Sequence, residues 1–187
     1  MFQKARQNRA NRAIIAPIAP KSRQSRHNRA IIAPWHDSEG VVTVNAHQLR
    51  DIIEEGENDR IEFKRCGNQP EKDLFETICA FANTFGGTIL LGVEDDGSLT
   101  GIDPAQVLPI TGNVLNVVNN PNAFDVPVSL EFEHIEIDDR QIIKIDVPNS
   151  PQMHSYKGKV YERRGDADVV VRGSAPLAEL CIRKQGI

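Results

Sequence analysis

Three carboxylates and one lysine are the side chains of this sequence best suited to chemistry. The carboxylates are Glu57, Glu62 and Asp95, and Lys64 stands two positions after Glu62. Carboxylate oxygens are ligands that Mg²⁺ and Mn²⁺ prefer, and such ions can activate water or stabilise charge at a scissile phosphate. Lys64 can pair with Glu62 or contact a phosphate. The set therefore predicts a metal site or a site that positions a phosphate backbone.

Spacing alone leaves a structural interpretation of these carboxylates open. In a strand, Glu57 and Glu62 would point to opposite faces, so they converge only if residues 58–60 bend the chain. Otherwise they are solvated carboxylates beside a strand. Asp95 precedes Asp96 and Gly97, a combination that is also ordinary turn chemistry.

A second candidate site is a patch of cations in the later part of the chain. It comprises Lys157, Lys159, Arg163, Arg164 and Arg172. Such a patch would contact phosphates without reading sequence, and its binding would weaken with salt. The alternative is a solvated edge strand that its charges protect from pairing.

Asn83, Gly86 and Gly87 lie between a predicted helix and a predicted strand. They cap the helix, or they let backbone amides approach a ligand. Residues 92–98 have the glycine spacing of a phosphate-binding loop but lack its lysine, and Asp95 would repel a triphosphate. We therefore expect no ATP.

Charge divides the chain into a basic arm and an acidic body. Residues 1–36 hold 8 of the 22 Lys and Arg residues and none of the 26 acids, so the remainder has 14 basic and 26 acidic residues and a net charge of −12. A basic arm favours a polyanion such as nucleic acid, whereas an acidic body needs a local basic patch to bind one.

The arm contains an internal repeat. Residues 6–17 recur at 23–34, with ten of twelve positions identical. Two short copies cannot form a solenoid, so residues 1–40 are predicted to be a disordered arm and residues 41–187 a single domain. The arm is either an electrostatic tether to nucleic acid or a duplication without a role.

The cysteines and the hydropathy of the sequence indicate the cellular compartment in which we expect the protein. Cys66, Cys79 and Cys181 form neither a disulfide framework nor a zinc pattern, which favours a reducing cytoplasm. No apolar run approaches the length that spans a membrane. We therefore expect a cytoplasmic protein with no membrane partner.

Hydrophobic periodicity predicts an α+β fold, in which a mixed sheet with hairpins packs against two to four helices. The apolar side chains of residues 74–85 recur at helical steps and include Phe85. Residues 138–140 predict a hairpin turn. Helices are predicted at 46–55, 71–85, 104–118 and 175–182, and strands near 61–63, 88–93, 99–102, 128–137, 142–147, 160–163 and 169–171.

The motifs at 57–64, 80–87 and 92–97 resemble, in order and spacing, those of the Schlafen-type AlbA domain family. The resemblance covers roughly residues 50–180 and implies an α+β nucleic-acid-binding fold. Bacterial and archaeal members are commonly read as DNA-binding or transcription-regulating modules. Some animal members are metal-dependent endoribonucleases that act on structured RNA.

By motif, the nuclease carboxylates correspond to Glu57, Glu62 and Asp95, and Lys64 matches too. The resemblance thus implies a catalytic and metal-binding set with Mg²⁺ or Mn²⁺. Lys64, Arg65 and Asn83 join the basic patch as expected nucleic-acid contacts. The animal nucleases clamp RNA with two such lobes, so a single-lobed chain would act as a homodimer.

Three functions follow in order. The first is binding of DNA or RNA, the second is metal-dependent cleavage of structured RNA, and the third is a non-catalytic protein-interaction module. The acidic body motivates the third.

Overall fold

The computed structural model describes residues 46–186. The predicted arm at 1–40, its repeat and the first residues of the predicted domain lie outside this range. The helices are α1 (Ala46–Glu55), α2 (Leu74–Asn83), α3 (Val107–Val118) and α4 (Ser174–Lys184). The strands are β1 (Ile61–Lys64), β2 (Gly87–Leu91), β3 (Glu131–Ile137), β4 (Arg140–Val147), β5 (Tyr161–Arg164) and β6 (Ala167–Val170).

Four strands form a mixed sheet in the order β1-β2-β4-β3. Strand β1 runs parallel to β2, and α2 makes the crossover between them. The β2–β4 and β4–β3 pairs are antiparallel. Strands β5 and β6 form a separate antiparallel hairpin. This mixture of a crossover and hairpins confirms the predicted α+β class.

Apolar side chains cover both faces of the sheet, since alternate residues of a strand point to opposite sides. On one face, Ile89 and Ile145 belong to the larger core, together with buried residues of α2 and α3. On the other face, Phe63 and Leu90 pack with Leu49 of α1. The sheet is therefore the middle layer. Its two edge strands are β1 and β3, and β3 is the longer of them.

Helix α2 is shorter than the predicted helix at 71–85, and its end changes the position of one side chain. The Gly86 N–H donates to the Phe81 carbonyl at 2.9 Å and closes the helix. Gly86 has φ +73°, and a Cβ there would lie 2.7 Å from the Val147 carbonyl oxygen, so the turn requires glycine. Phe85 therefore leaves the apolar face and is 54% exposed.

Two other elements differ from their predictions. Helix α3 begins at Val107 rather than 104, which puts Pro109 in its first turn, where a missing N–H costs little. The strand predicted at 99–102 is reduced to two isolated bridges, Val93 with Leu99 and Ile102 with Gln141. Within residues 46–186, no helix combines the length and the apolarity needed to cross a membrane.

Candidate nucleic-acid interface

The turn before β1 brings Glu57 back onto the strand. Asn58 Oδ1 accepts hydrogen bonds from the N–H groups of Arg60 and Ile61. Glu57 Oε1 then accepts one from the Phe63 N–H at 2.8 Å. Burial raises the pKa of Glu57, the Phe63 bond opposes that rise, and the negative charges of Glu62 and Asp95 add to it. The bend therefore brings Glu57 close enough to Glu62 and Asp95 for their charges to act on it.

Glu62 is a buried carboxylate held between two cations. Its Oε1 lies 2.6 Å from Lys64 Nζ, and its Oε2 lies 2.5 Å from an Arg163 nitrogen. Lys64 also contacts Asp73 at 3.0 Å. Burial alone would lower the pKa of Lys64, but its bonds to Glu62 and Asp73 outweigh burial and raise it. Lys64 is therefore a charged partner of two carboxylates.

This arrangement does not fit a divalent cation. Among residues 46–186, no three His, Cys, Asp or Glu side chains are grouped so that they could hold a metal ion. Both oxygens of Glu62 already face cations, so an approaching ion would meet Lys64 and Arg163 first. The Asp95 side chain is exposed in the turn after β2.

Arg163 anchors the β5–β6 hairpin instead of facing solvent. Its side chain is 1% exposed and also bonds Asp168 at 3.1 Å and the Asn58 carbonyl at 3.0 Å. Its guanidinium carbon lies 5.1 Å from the centre of the Phe81 ring. These contacts tie β5 to both β1 and α2, and they leave Arg163 no access to a phosphate.

Asn83 has a similar structural role. Its amide nitrogen donates to the carbonyls of His154 and Tyr161 at 2.8 and 2.9 Å, and its oxygen accepts the His154 N–H. The side chain is buried. It holds the end of α2 against the chain around β5, so the interface described below includes neither Asn83 nor Arg163.

The exposed cations of the predicted interface differ in whether an acidic side chain lies beside them. Arg164 lies 3.1 Å from Glu162 with its side chain 60% exposed, and Arg65 lies 3.7 Å from Glu94. Both are accessible but stand beside acids, which weakens their attraction for phosphate.

Three cations at one end of the β5–β6 hairpin have no acidic partner within residues 46–186; we call Lys157, Lys159 and Arg172 the basic cluster. The Val171 N–H donates to the Val160 carbonyl at 2.8 Å and extends the hairpin beyond Tyr161 and Val170. The same register sets Lys159 opposite Arg172. Lys157, in a tight turn with φ +49°, lies 4.9 Å from the Tyr156 ring centre.

Sequence reasoning missed Arg60 and Phe85. The Arg60 guanidinium lies 5.3 Å from the centre of the exposed Phe85 ring, a favourable cation–π distance. Both line a groove of about 380 Å³ beside β2 and β4. The signal available in the sequence was Gly86-Gly87, because a helix that stops there can turn the preceding aromatic out of the core.

The Schlafen, AlbA_2 family model matches residues 57–172, which is more than half of the chain. The chain therefore belongs to the Schlafen AlbA_2 family, as its motifs indicate. No curated protein matches it.

Two solved structures are similar to this chain. The first, the DIP2311 protein of Corynebacterium diphtheriae, is 18% identical with a TM-score of 0.46, and the match covers 67% of this chain and 29% of that one. The second is the N-terminal domain of a RecG-related protein of Nitrosomonas europaea, 23% identical with a TM-score of 0.44, covering 68% and 95%. This chain therefore matches less than a third of the DIP2311 protein.

Proposed function

We propose that the folded body binds nucleic acid, DNA or RNA, through phosphate contacts made by the basic cluster. The observation that carries the proposal is the set of three exposed cations, Lys157, Lys159 and Arg172, that no described acid neutralises. Family membership supports the same class of function, because members are read as nucleic-acid-binding modules.

An acidic body can bind a polyanion only where its own acids are absent or already paired. Near the hairpin several are paired: Glu62 and Asp168 with Arg163, and Glu162 with Arg164 and Arg183. These pairs remove several acids that would otherwise oppose phosphate binding at the basic cluster. Phosphate contacts there would release counterions and depend on salt.

The test is salt-dependent binding of labelled single-stranded DNA and of tRNA by the full chain. The Lys159→Gln/Arg172→Gln variant removes two contacts, so the slope of log Kobs against log salt should become less steep by about 1.4 on single-stranded DNA. A matched control, Lys72→Gln/Arg140→Gln, removes one Lys and one Arg from exposed positions elsewhere. We expect the control to change the slope far less.

Equal slopes for the two variants would contradict the proposal, because net charge rather than the cluster would then set binding. Absence of binding by the unsubstituted chain would leave the non-catalytic interaction module as the function. Stronger binding of single-stranded DNA or of tRNA decides which nucleic acid the body prefers. A role in transcription rests on the outcome with DNA.

The second candidate is metal-dependent cleavage of structured RNA, favoured by the charges of Glu62 and Asp95 that act on Glu57. Because Lys64 and Arg163 occupy Glu62, a metal ion would have to be held by Glu57 and Asp95 without it. Because Glu62 has a structural ion pair, Glu57→Gln and Asp95→Asn are the informative changes. In the binding assay, cleavage with Mn²⁺ but not with EDTA, lost in both variants, would establish it. If the RNA stays intact both with Mn²⁺ and with EDTA, cleavage is excluded as the function.

A further inference from the structure

Phe85 is the phenylalanine with the largest exposure in the part of the chain that the structure describes. Phe85 is 54% exposed, whereas Phe63, Phe81 and Phe124 are each at most 1% exposed. Full exposure of a large apolar side chain costs about 1.5–3 kcal/mol relative to burial, so exposure of about half of this ring costs about half as much. A bound partner that covers the ring would recover that cost.

Arg60 makes this ring part of a platform for a flat ligand. Its guanidinium carbon lies 5.3 Å from the Phe85 ring centre, and no carboxylate within residues 46–186 forms an ion pair with it. Flat π systems stack on aromatic rings and on guanidinium planes, and unpaired nucleobases use both. The Arg60–Phe85 pair offers both surfaces at one place.

The groove beside the platform offers hydrogen-bond acceptors. Asp146 and Glu131 lie opposite each other on β4 and β3, and both line this groove. The Thr88 hydroxyl donates a hydrogen bond to Asp146 Oδ1 at 2.7 Å, and Lys144 Nζ donates one to Asp146 Oδ2. Glu131 is exposed, and no described cation forms an ion pair with it. These carboxylates can accept N–H groups but would repel a phosphate.

The sizes of the two grooves beside Phe85 fit a small ligand such as one nucleobase. The groove holds about 380 Å³, within the range of small-ligand sites. Phe85 also lines a second groove of about 370 Å³ that includes Arg183. A ring stacked on Phe85 would thus have acceptors for the N–H groups of its edge on one side, and on the other side Arg183, which Glu162 already pairs at 2.5 Å.

We propose that Arg60, Phe85, Glu131 and Asp146 form a binding site for one unpaired nucleobase that carries an exocyclic amino group. The site rests on the proposed function, since it would read one base of the strand that the basic cluster holds. The domain then prefers single strands or loops over duplex, and adenine, guanine or cytosine over uracil.

The test uses the full chain and single-stranded RNA with one 2-aminopurine, whose fluorescence falls on stacking. Phe85→Ala should lower affinity for this strand about tenfold, which corresponds to about 1.4 kcal/mol. It should leave both the salt slope and duplex binding unchanged, because stacking releases no counterions. Phe85→Tyr should restore affinity and quenching. The matched control is Leu108→Ala, which truncates another exposed apolar residue, 65% exposed on α3.

Base preference is measured with oligo(A) against oligo(U). The unsubstituted chain should favour oligo(A), and Glu131→Gln/Asp146→Asn should reduce that preference. If the chain binds RNA but Phe85→Ala matches Leu108→Ala in affinity and quenching, the base site is overturned and the phosphate contacts stand. If the unsubstituted chain binds no nucleic acid, both proposals fall.

Discussion

At the scale of single residues, the pair formed by Glu62 and Arg163 determines which functions the nearby carboxylates can perform. Glu62 Oε2 lies 2.5 Å from a guanidinium nitrogen of Arg163, and both side chains are almost fully buried. A buried charge is tolerated only when it is paired, so loss of one partner leaves the other buried without a counter-charge. The pair therefore serves the fold, and it explains why Glu62 is a poor candidate for a metal ligand.

Removal of Arg163 should destabilise the protein far more than removal of its neighbour. Arg163→Met leaves Asp168 without its cation and Glu62 with Lys64 alone, so the free energy of unfolding should fall by about 3–5 kcal/mol. Arg164→Met removes a side chain that is 60% exposed, and should cost about 1 kcal/mol or less. Urea unfolding followed by circular dichroism measures both.

A double-mutant cycle separates the ion pair from the other contacts of Arg163. Once Arg163 is Met, Glu62→Gln should cost less than it does alone, because Glu62 then has no arginine to lose. Strictly additive costs, or equal losses for Arg163→Met and Arg164→Met, would show that the pair is not what holds the hairpin.

Sequence analysis found Glu57, Glu62 and Lys64 but could not find their partners. The side-chain pairing of Lys64 with Glu62 follows from a two-residue step in a strand, and the structure has it. Arg163 lies 101 positions after Glu62, and no local pattern encodes such a contact. The basic patch was therefore predicted as one surface, whereas folding buries Arg163, pairs Arg164 and leaves the basic cluster exposed.

At the scale of elements, alternation and helical spacing located most strands and helices because the sheet is covered on both faces. Misplaced boundaries have local causes. Phe85 continues the spacing of Phe81 and Ala82, but the glycines that follow end α2 before it. The strand predicted at 99–102 had too few ladder partners to extend beyond single bridges. Hydrophobic periodicity indicates which face of a helix or strand is buried, but it does not indicate where the neighbouring residues end that element.

The β3–β4 turn stores conformational strain that one substitution should release. Asp138 and Asp139 have φ of +50° and +60°, the left-handed region that costs about 1 kcal/mol for a residue with a Cβ. Asp139→Gly relieves this strain but also adds backbone freedom to the unfolded chain, so the net rise in the free energy of unfolding should be about 0.5 kcal/mol. Thermal or urea unfolding measures the change.

Asp166 provides the matched control for this prediction. It is an exposed aspartate in the β5–β6 turn, and its φ is not positive. Asp166→Gly removes the same charge but adds backbone freedom to the unfolded chain, so it should destabilise. The prediction fails if Asp139→Gly and Asp166→Gly shift stability in the same direction.

At the scale of the whole molecule, the segregation of charge raises the question of which part binds. Residues 1–36 carry eight cations and no acid, while the body has the basic cluster and the Phe85 platform. Cations in such a segment add attraction in proportion to the phosphates they neutralise, without regard to base or strand form. The body would supply whatever discrimination the protein has.

Deletion of residues 1–36 should therefore weaken binding without abolishing it. Each lost phosphate contact lowers the salt slope by about 0.7–0.9, so the arm can contribute up to about 6 on a single strand. The truncated chain should keep the tenfold effect of Phe85→Ala and the slope change of Lys159→Gln/Arg172→Gln, because both surfaces lie in the body. Titrations of full and truncated chains at several salt concentrations measure this. If truncation removes all binding while the fold persists by circular dichroism, the arm alone binds and the acidic body serves another partner.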